Sequence, residues 1–176
     1  MITETQRSYV VWQNRAYRFY VPARYLYLRG HFSAAAYCAT QSIELLLKAT
    51  LIYWDRSLQA RDRGHRVAGM IRSVRNKASG AKGFDVPQYF FHEQRYQRTS
   101  RYPTGSFGLA IPSSFLSDLD LVFVNLVLLV PFQFNSELSR TLSGRRSTQL
   151  MDLRRGNTQM RRLRSHVLGR ARITRR

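Results

Sequence analysis

Arginine offers the most chemistry in this 176-residue chain. Of its 29 basic residues all but Lys48, Lys77 and Lys82 are arginine, and against 10 acids they leave a net charge of +19. A guanidinium is a planar fork that grips phosphate through two hydrogen bonds and stacks on flat rings. A field of this sign draws polyanions toward the surface. An arginine-rich proteome accounts equally well for the Arg/Lys ratio, but not for the shortage of acids. The arginines alternate with aromatics near the start of the chain, at Arg15, Tyr17, Arg18, Tyr20, Arg24, Tyr25 and Arg29. That pattern suits base stacking, although aromatics on the core side of an ordinary helix are the simpler explanation.

Other reactive types are poorly arranged for catalysis. Asp118 and Asp120 are two apart, so on a helix they point to different sides and do not readily share a metal. His92 and Glu93 lack a second histidine at helical metal spacing. Phosphate loops of the Walker type, Gly-rich dinucleotide turns and serine-nucleophile motifs are absent from the sequence, and neither a metal nor a cofactor is expected. The single cysteine, Cys38, permits no internal disulfide and reads as buried filler among alanines. Gln41, Glu44 and Lys48 recur at spacings of 3 and 4, which places them on one helix face, with Glu44 preceding Lys48 in the favourable order for an exposed pair. A solvated or half-buried polar stripe is the plain reading of these three.

The elements that must position these residues are helical. Residues 32–54 carry the strongest pattern: Ala36, Ala39, Ile43 and Leu46 fall on one face, with neither Gly nor Pro in the stretch. Ala34, Ala35, Ala36 and Ala39 would admit a closely packed neighbour. A helix over 65–78 would turn Val67, Met70, Ile71 and Val74 inward, and another is expected from Val86 to Arg98. A fifth, capped by Ser114 or Ser117, would run to about Val130 and bury Leu119, Val122, Phe123, Leu126 and Leu129. Pro22 suits the first turn of a helix over 22–29 ending near Gly30. Residues 1–21 fit either a short strand or a helical lead-in. The expected fold is all-α, an antiparallel bundle of four to five helices with a basic C-terminal extension.

The composition divides the chain into an N-terminal extension (1–21), a helical bundle (22–144) and an arginine-rich tail (145–176). The tail holds eleven arginines and one acid, Asp152. Leu150, Leu153, Met160, Leu163 and Val167 would line one side of a basic amphipathic helix, weakened at Gly156. Such a tail is expected to order on a partner. The greasiest stretch, Leu119 to Phe134, is too short to span a bilayer and contains Asp120, Asn125 and Pro131. The opening MITETQRSYV lacks the pattern of a signal peptide. A cytoplasmic location is therefore expected.

The run "ARYLYLRGHFSAAAYCATQSIELLLKATL", followed after a loop by "GHRVAGMI", resembles the HEPN family of helical domains. The resemblance rests on a short helix, a Gly at a turn, then a long helix with Gln41, Glu44 and Lys48, then His65 opening the next helix. Arg101, Tyr102 and Pro103 look like a further stretch ahead of a final core helix, and the likeness covers about residues 20–132.

Many HEPN proteins are metal-independent ribonucleases that use an Arg, four to six residues, then a His. The resemblance thus implies Arg161 and His166 as the catalytic pair: a His near neutral pKa moves the 2′-OH proton and an Arg stabilises the charged transition state. Arg24 and His31 share the spacing, but they flank the first turn, where the family does not place the motif. In so arginine-rich a chain, two matches of this kind are the number chance supplies. Arg161 and His166 themselves lie beyond the core helix in which the family usually carries them. A binding module is accordingly the leading expectation, with Arg145, Arg146, Arg154, Arg155, Arg162 and Arg164 contacting RNA or DNA phosphates. A ribonuclease toxin is the alternative, and a ribosome- or membrane-surface-associated basic protein the second. Dimerisation and a nucleotidyltransferase-type partner, in a defence or toxin–antitoxin setting, are what the resemblance implies.

Overall fold

The computed structural model describes residues 4–55, 67–78, 87, 111–131, 138 and 153–165, with side chains of the first helix from residue 9 onward. Every regular element among them is helical. Helices α1 (Glu4–Leu28), α2 (Phe32–Trp54), α3 (Val67–Lys77) and α4 (Phe115–Leu128) are followed by a short helix, α5, over 159–165. The expected helices over 32–54, 65–78 and 114–130 thus form within one or two residues of their expected ends. The helix expected from Val86 to Arg98 lies outside the described residues apart from Pro87, as does His65.

α1 and α2 form an antiparallel hairpin, and the turn between them is built by hydrogen bonds that need glycine. The N–H of Gly30 donates to the Tyr27 carbonyl at 3.0 Å and that of His31 to the Leu26 carbonyl at 2.9 Å. This is a Schellman closure with Gly30 at φ +81°, a left-handed conformation that costs a side chain heavily. Small residues let the hairpin close tightly: Ala16 and Ala23 of α1 and Ala35, Ala36 and Ala39 of α2 are all fully buried. The Ser42 hydroxyl donates to the Ala16 carbonyl at 2.9 Å, a bond between helices that requires such an approach.

The expectation of a helix starting at Pro22 is corrected. α1 begins eighteen positions earlier and carries Pro22 in its interior. An interior proline removes one backbone hydrogen bond and crowds the preceding turn, costing roughly 3 kcal/mol. The flanking positions offset that cost, since Tyr9, Ala16, Tyr17, Tyr20 and Ala23 are buried in the cores shared with α2 and α4. Tyr20 stacks on Phe123 at 3.6 Å between ring centroids, and Tyr27 on Phe115 at 5.3 Å.

The inward faces of α3 and α4 are those expected: Val67, Met70, Ile71 and Val74, and Leu119, Val122, Phe123 and Leu126, are buried, with Leu129 half-buried. Ser114 occupies the N-cap of α4 without a side-chain cap bond, and its carbonyl accepts from the Ser117 hydroxyl at 2.7 Å. Residues 153–165 pack onto the same core through Leu153, Met160 and Leu163, each at most 3% exposed. A segment expected to order only on a partner is therefore already seated. The long amphipathic helix suggested by its apolar spacing is broken at Gly156, which adopts φ +65°.

Candidate functional site

The site is organised around a buried arginine. Arg24 faces the interior of the bundle and is fully buried. Burying a guanidinium costs several kcal/mol unless a counter-charge and hydrogen bonds replace its water. Both are present. Its Nη1 donates to Asp120 Oδ2 on α4, and its Nη2 donates to the Arg155 carbonyl. Tyr20, one turn before Arg24, donates its hydroxyl hydrogen to Asp120 Oδ1 at 2.6 Å. Tyr20 Oη in turn accepts from Asn157 Nδ2 at 2.9 Å, and Asn157 Oδ1 accepts the Met160 N–H at 2.9 Å, capping α5. One continuous network thus joins α1, α4 and the Arg155–Met160 turn.

Its electrostatics follow from burial. Loss of water pushes the Asp120 carboxyl up to about 6, against the opposing pull of Arg24 and of the hydrogen bonds from Tyr20 and Arg24. At neutral pH it is therefore a carboxylate and accepts from both donors. Burial, reinforced by the Asp120 charge, drives the Tyr20 hydroxyl well above its ordinary value, so it remains a donor. Burial also raises the Cys38 thiol, which disfavours its nucleophilic thiolate.

Beside this network lies a cleft of about 280 Å³ lined by Arg154, Asn157, Met160, Arg161 and Arg164. Asn157 and Met160 are buried and form its floor, whereas the three arginines are exposed around it. The spacing of Arg161 and Arg164 on α5 brings both to one side of the helix. Three guanidinium groups around one concavity repel each other until an anion enters, and phosphate matches their geometry.

The expected binding arginines therefore divide. Arg154, Arg161 and Arg164 share the cleft. Arg162 is turned away and donates to Asn125 Oδ1 on α4 at 3.1 Å. Arg155 is exposed, and its carbonyl serves Arg24. Arg145, Arg146 and His166 lie outside the described residues, so the pairing of Arg161 with His166 does too. Tyr17, Tyr20 and Arg24 are withdrawn from any base-stacking surface because they are core residues. The Gln41–Glu44–Lys48 stripe does not form the exposed pair anticipated: Lys48 donates to Glu44 at 2.7 Å with both side chains at most 7% exposed. The Trp12 ring covers the ammonium at 5.4 Å. Lys48 thereby links α2 to α1.

Sequence reasoning missed Asp120 and Asn157. Asp120 is the only acid within the apolar face of α4, and Asn157 follows a glycine and precedes an apolar-spaced turn, the signature of an N-cap. Both signals were available.

The HEPN domain family matches residues 9–109, more than half of the chain, and the protein belongs to that family. The match starts within α1, eleven residues ahead of the likeness read from the sequence, and ends before α4. Asp120, Asn157 and the arginine cleft all lie beyond it. No curated protein and no solved structure matches the chain. Among the described residues no helix is long and apolar enough to cross a membrane.

Proposed function

We propose that this HEPN protein is a basic nucleic-acid-binding module, with RNA as its target, acting in the cytoplasm as a homodimer. The observation that carries the reading is the cleft: Arg154, Arg161 and Arg164 surround one concavity whose floor is fastened to the core by Asn157. Arginines on a solvated tail bind phosphate only after paying to order themselves, whereas these three start on a fixed support. Contacts of this kind ignore sequence and weaken with salt. A defence or toxin–antitoxin role, with a nucleotidyltransferase-type partner, is what family resemblance suggests for such a module.

The test is fluorescence anisotropy with a labelled RNA between 50 and 200 mM salt. The affinity of the parent protein is expected to fall steeply across that range. Replacing Arg154, Arg161 and Arg164 together by Gln should weaken binding at low salt and flatten the salt dependence by about three ions' worth. Equal affinity and slope in parent and variant would refute the cleft as the binding site.

A second reading is favoured by one specific observation. Arg161, which the family resemblance marks as catalytic, lines the cleft, and His166 comes five positions later in the chain. In this reading the protein is a metal-independent ribonuclease: the cleft holds the scissile phosphate, Arg161 stabilises its developing charge and His166 moves the proton.

A further inference from the structure

The outer face of α1 is a second basic surface. Val11, Arg15, Arg18, Tyr25 and Arg29 are all exposed, with the half-buried Pro22 between them. Their spacings of 4, 3, 4, 3 and 4 keep all six within about 80° of arc at roughly 100° per residue. The stripe is centred about 140° around the helix from Arg24. Since Arg24 points to Asp120 and the Arg155 carbonyl, the stripe faces away from the segment that bears the cleft.

Two guanidinium groups of the stripe are associated with rings. Arg29 lies over Tyr25 at 5.0 Å and Arg15 over Trp12 at 5.8 Å. Tyr25 remains 42% exposed, so part of a flat ring is offered to solvent beside a cation. A second copy of the chain is a poor occupant, because a two-fold contact would set these arginines against each other. A polyanion with unpaired bases suits both features: phosphates for the arginines, a base for Tyr25. From Arg15 to Arg29 the track measures about 21 Å, room for roughly four nucleotides.

We infer that the exposed face of α1 is a binding track for single-stranded nucleic acid, in which Arg15, Arg18 and Arg29 hold the backbone and Tyr25 stacks a base. The inference rests on the proposed nucleic-acid-binding role but not on the cleft. A strand longer than the cleft would thus be held at two separated places on one protomer.

The experiment uses the full chain and a 12-nucleotide single strand of mixed sequence, the same sequence as a duplex, and anionic phospholipid vesicles. Three variants are compared with the parent: Arg15→Gln/Arg18→Gln/Arg29→Gln, the same three positions changed to Lys, and Tyr25→Ala. The substituted positions are exposed, and unchanged circular dichroism checks that each variant folds. The Gln variant should lose at least tenfold in single-strand affinity at low salt, the Lys variant should retain most of it, and Tyr25→Ala should lose about fivefold or more. A strand carrying 5-bromouracil should photocrosslink to the peptide containing Tyr25. Parent-like binding by the Gln and Tyr25 variants, with binding lost on altering Arg154, Arg161 and Arg164, overturns the track and leaves the cleft standing. Tighter binding of the duplex than the single strand, or of vesicles alone, also overturns it. A parent protein that binds no oligonucleotide overturns the track and the proposed function together.

Discussion

Arg24 and Asp120 stand 96 positions apart in the chain and share an ion pair within the core, neither side chain more than 2% exposed. Each group supplies hydrogen-bond partners that water cannot reach. Asp120→Leu, which leaves Tyr20 and Arg24 without their acceptor, or Arg24→Met should therefore destabilise the protein by about 3–5 kcal/mol in denaturant unfolding. Arg24→Met combined with Asp120→Leu should cost less than the two single changes summed, by about 0.5–3 kcal/mol. Strict additivity would mean that the two groups do not stabilise one another.

The same pair predicts a pH dependence. Burial lifts the Asp120 carboxyl from an ordinary 3.8 to about 6. The folded protein thus holds a proton that the unfolded chain releases between those values. The stability contributed by this proton is complete below pH 4 and is lost as pH rises through 6. Unfolding free energies of the parent, taken relative to Asp120→Asn, should increase on acidification from pH 7 to pH 4, with a slope of at most about 1.4 kcal/mol per unit. A flat difference, or one of opposite sign, would show that Asp120 titrates at or below its ordinary value.

Gly156 adopts φ +65°, and a Cβ added there would meet open space. The cost of Gly156→Ala is therefore conformational rather than steric, about 1 kcal/mol. Because Gly156 adjoins Asn157, the same change should speed amide hydrogen exchange over 153–165 while α2 remains protected. Uniform loss of protection would mean the turn and the bundle unfold as one unit.

The ribonuclease reading makes a separable prediction. If the protein cleaves RNA, it should do so in EDTA. His166→Ala should abolish cleavage while binding persists, since one neutral side chain adds little to a strongly cationic surface. Arg161→Ala should reduce the rate far more than the affinity. Normal cleavage by His166→Ala would remove this pair from consideration.

Leu46 lies at the centre of the α2 stripe and is fully buried. Leu46→Ala should cost about 2–5 kcal/mol by thermal or chemical unfolding. A change below about 0.5 kcal/mol would place that face outside the core.

What was legible in the sequence had a period. α2, α3 and α4 repeat apolar residues every three or four positions, and their buried faces can be read directly from that spacing. α1 could not be read so far, because its buried side mixes Tyr17, Tyr20, Gln13 and Arg24 with alanines and because Pro22 imitates a start. Arg24 illustrates the limit. Among 26 arginines, nothing in its own neighbourhood marks it as the one with a carboxylate waiting 96 residues away. The Glu44–Lys48 spacing revealed the pair but not its burial, which depends on Trp12 arriving from another helix.

The long reach of Arg24 also bears on the order of events during synthesis. At roughly 5–20 residues per second, about 5–20 s separate the making of Arg24 from that of Asp120, and Asn157 follows later still. Until then the α1–α2 hairpin has its tight turn and its alanine seam but no counter-charge for that guanidinium. The nascent hairpin must keep Arg24 in water, which delays closure of the surface that will receive α4. Completion of the bundle is thus timed by the appearance of residues far downstream, and a chain halted near residue 109, where the family match ends, would expose an arginine that the finished protein conceals.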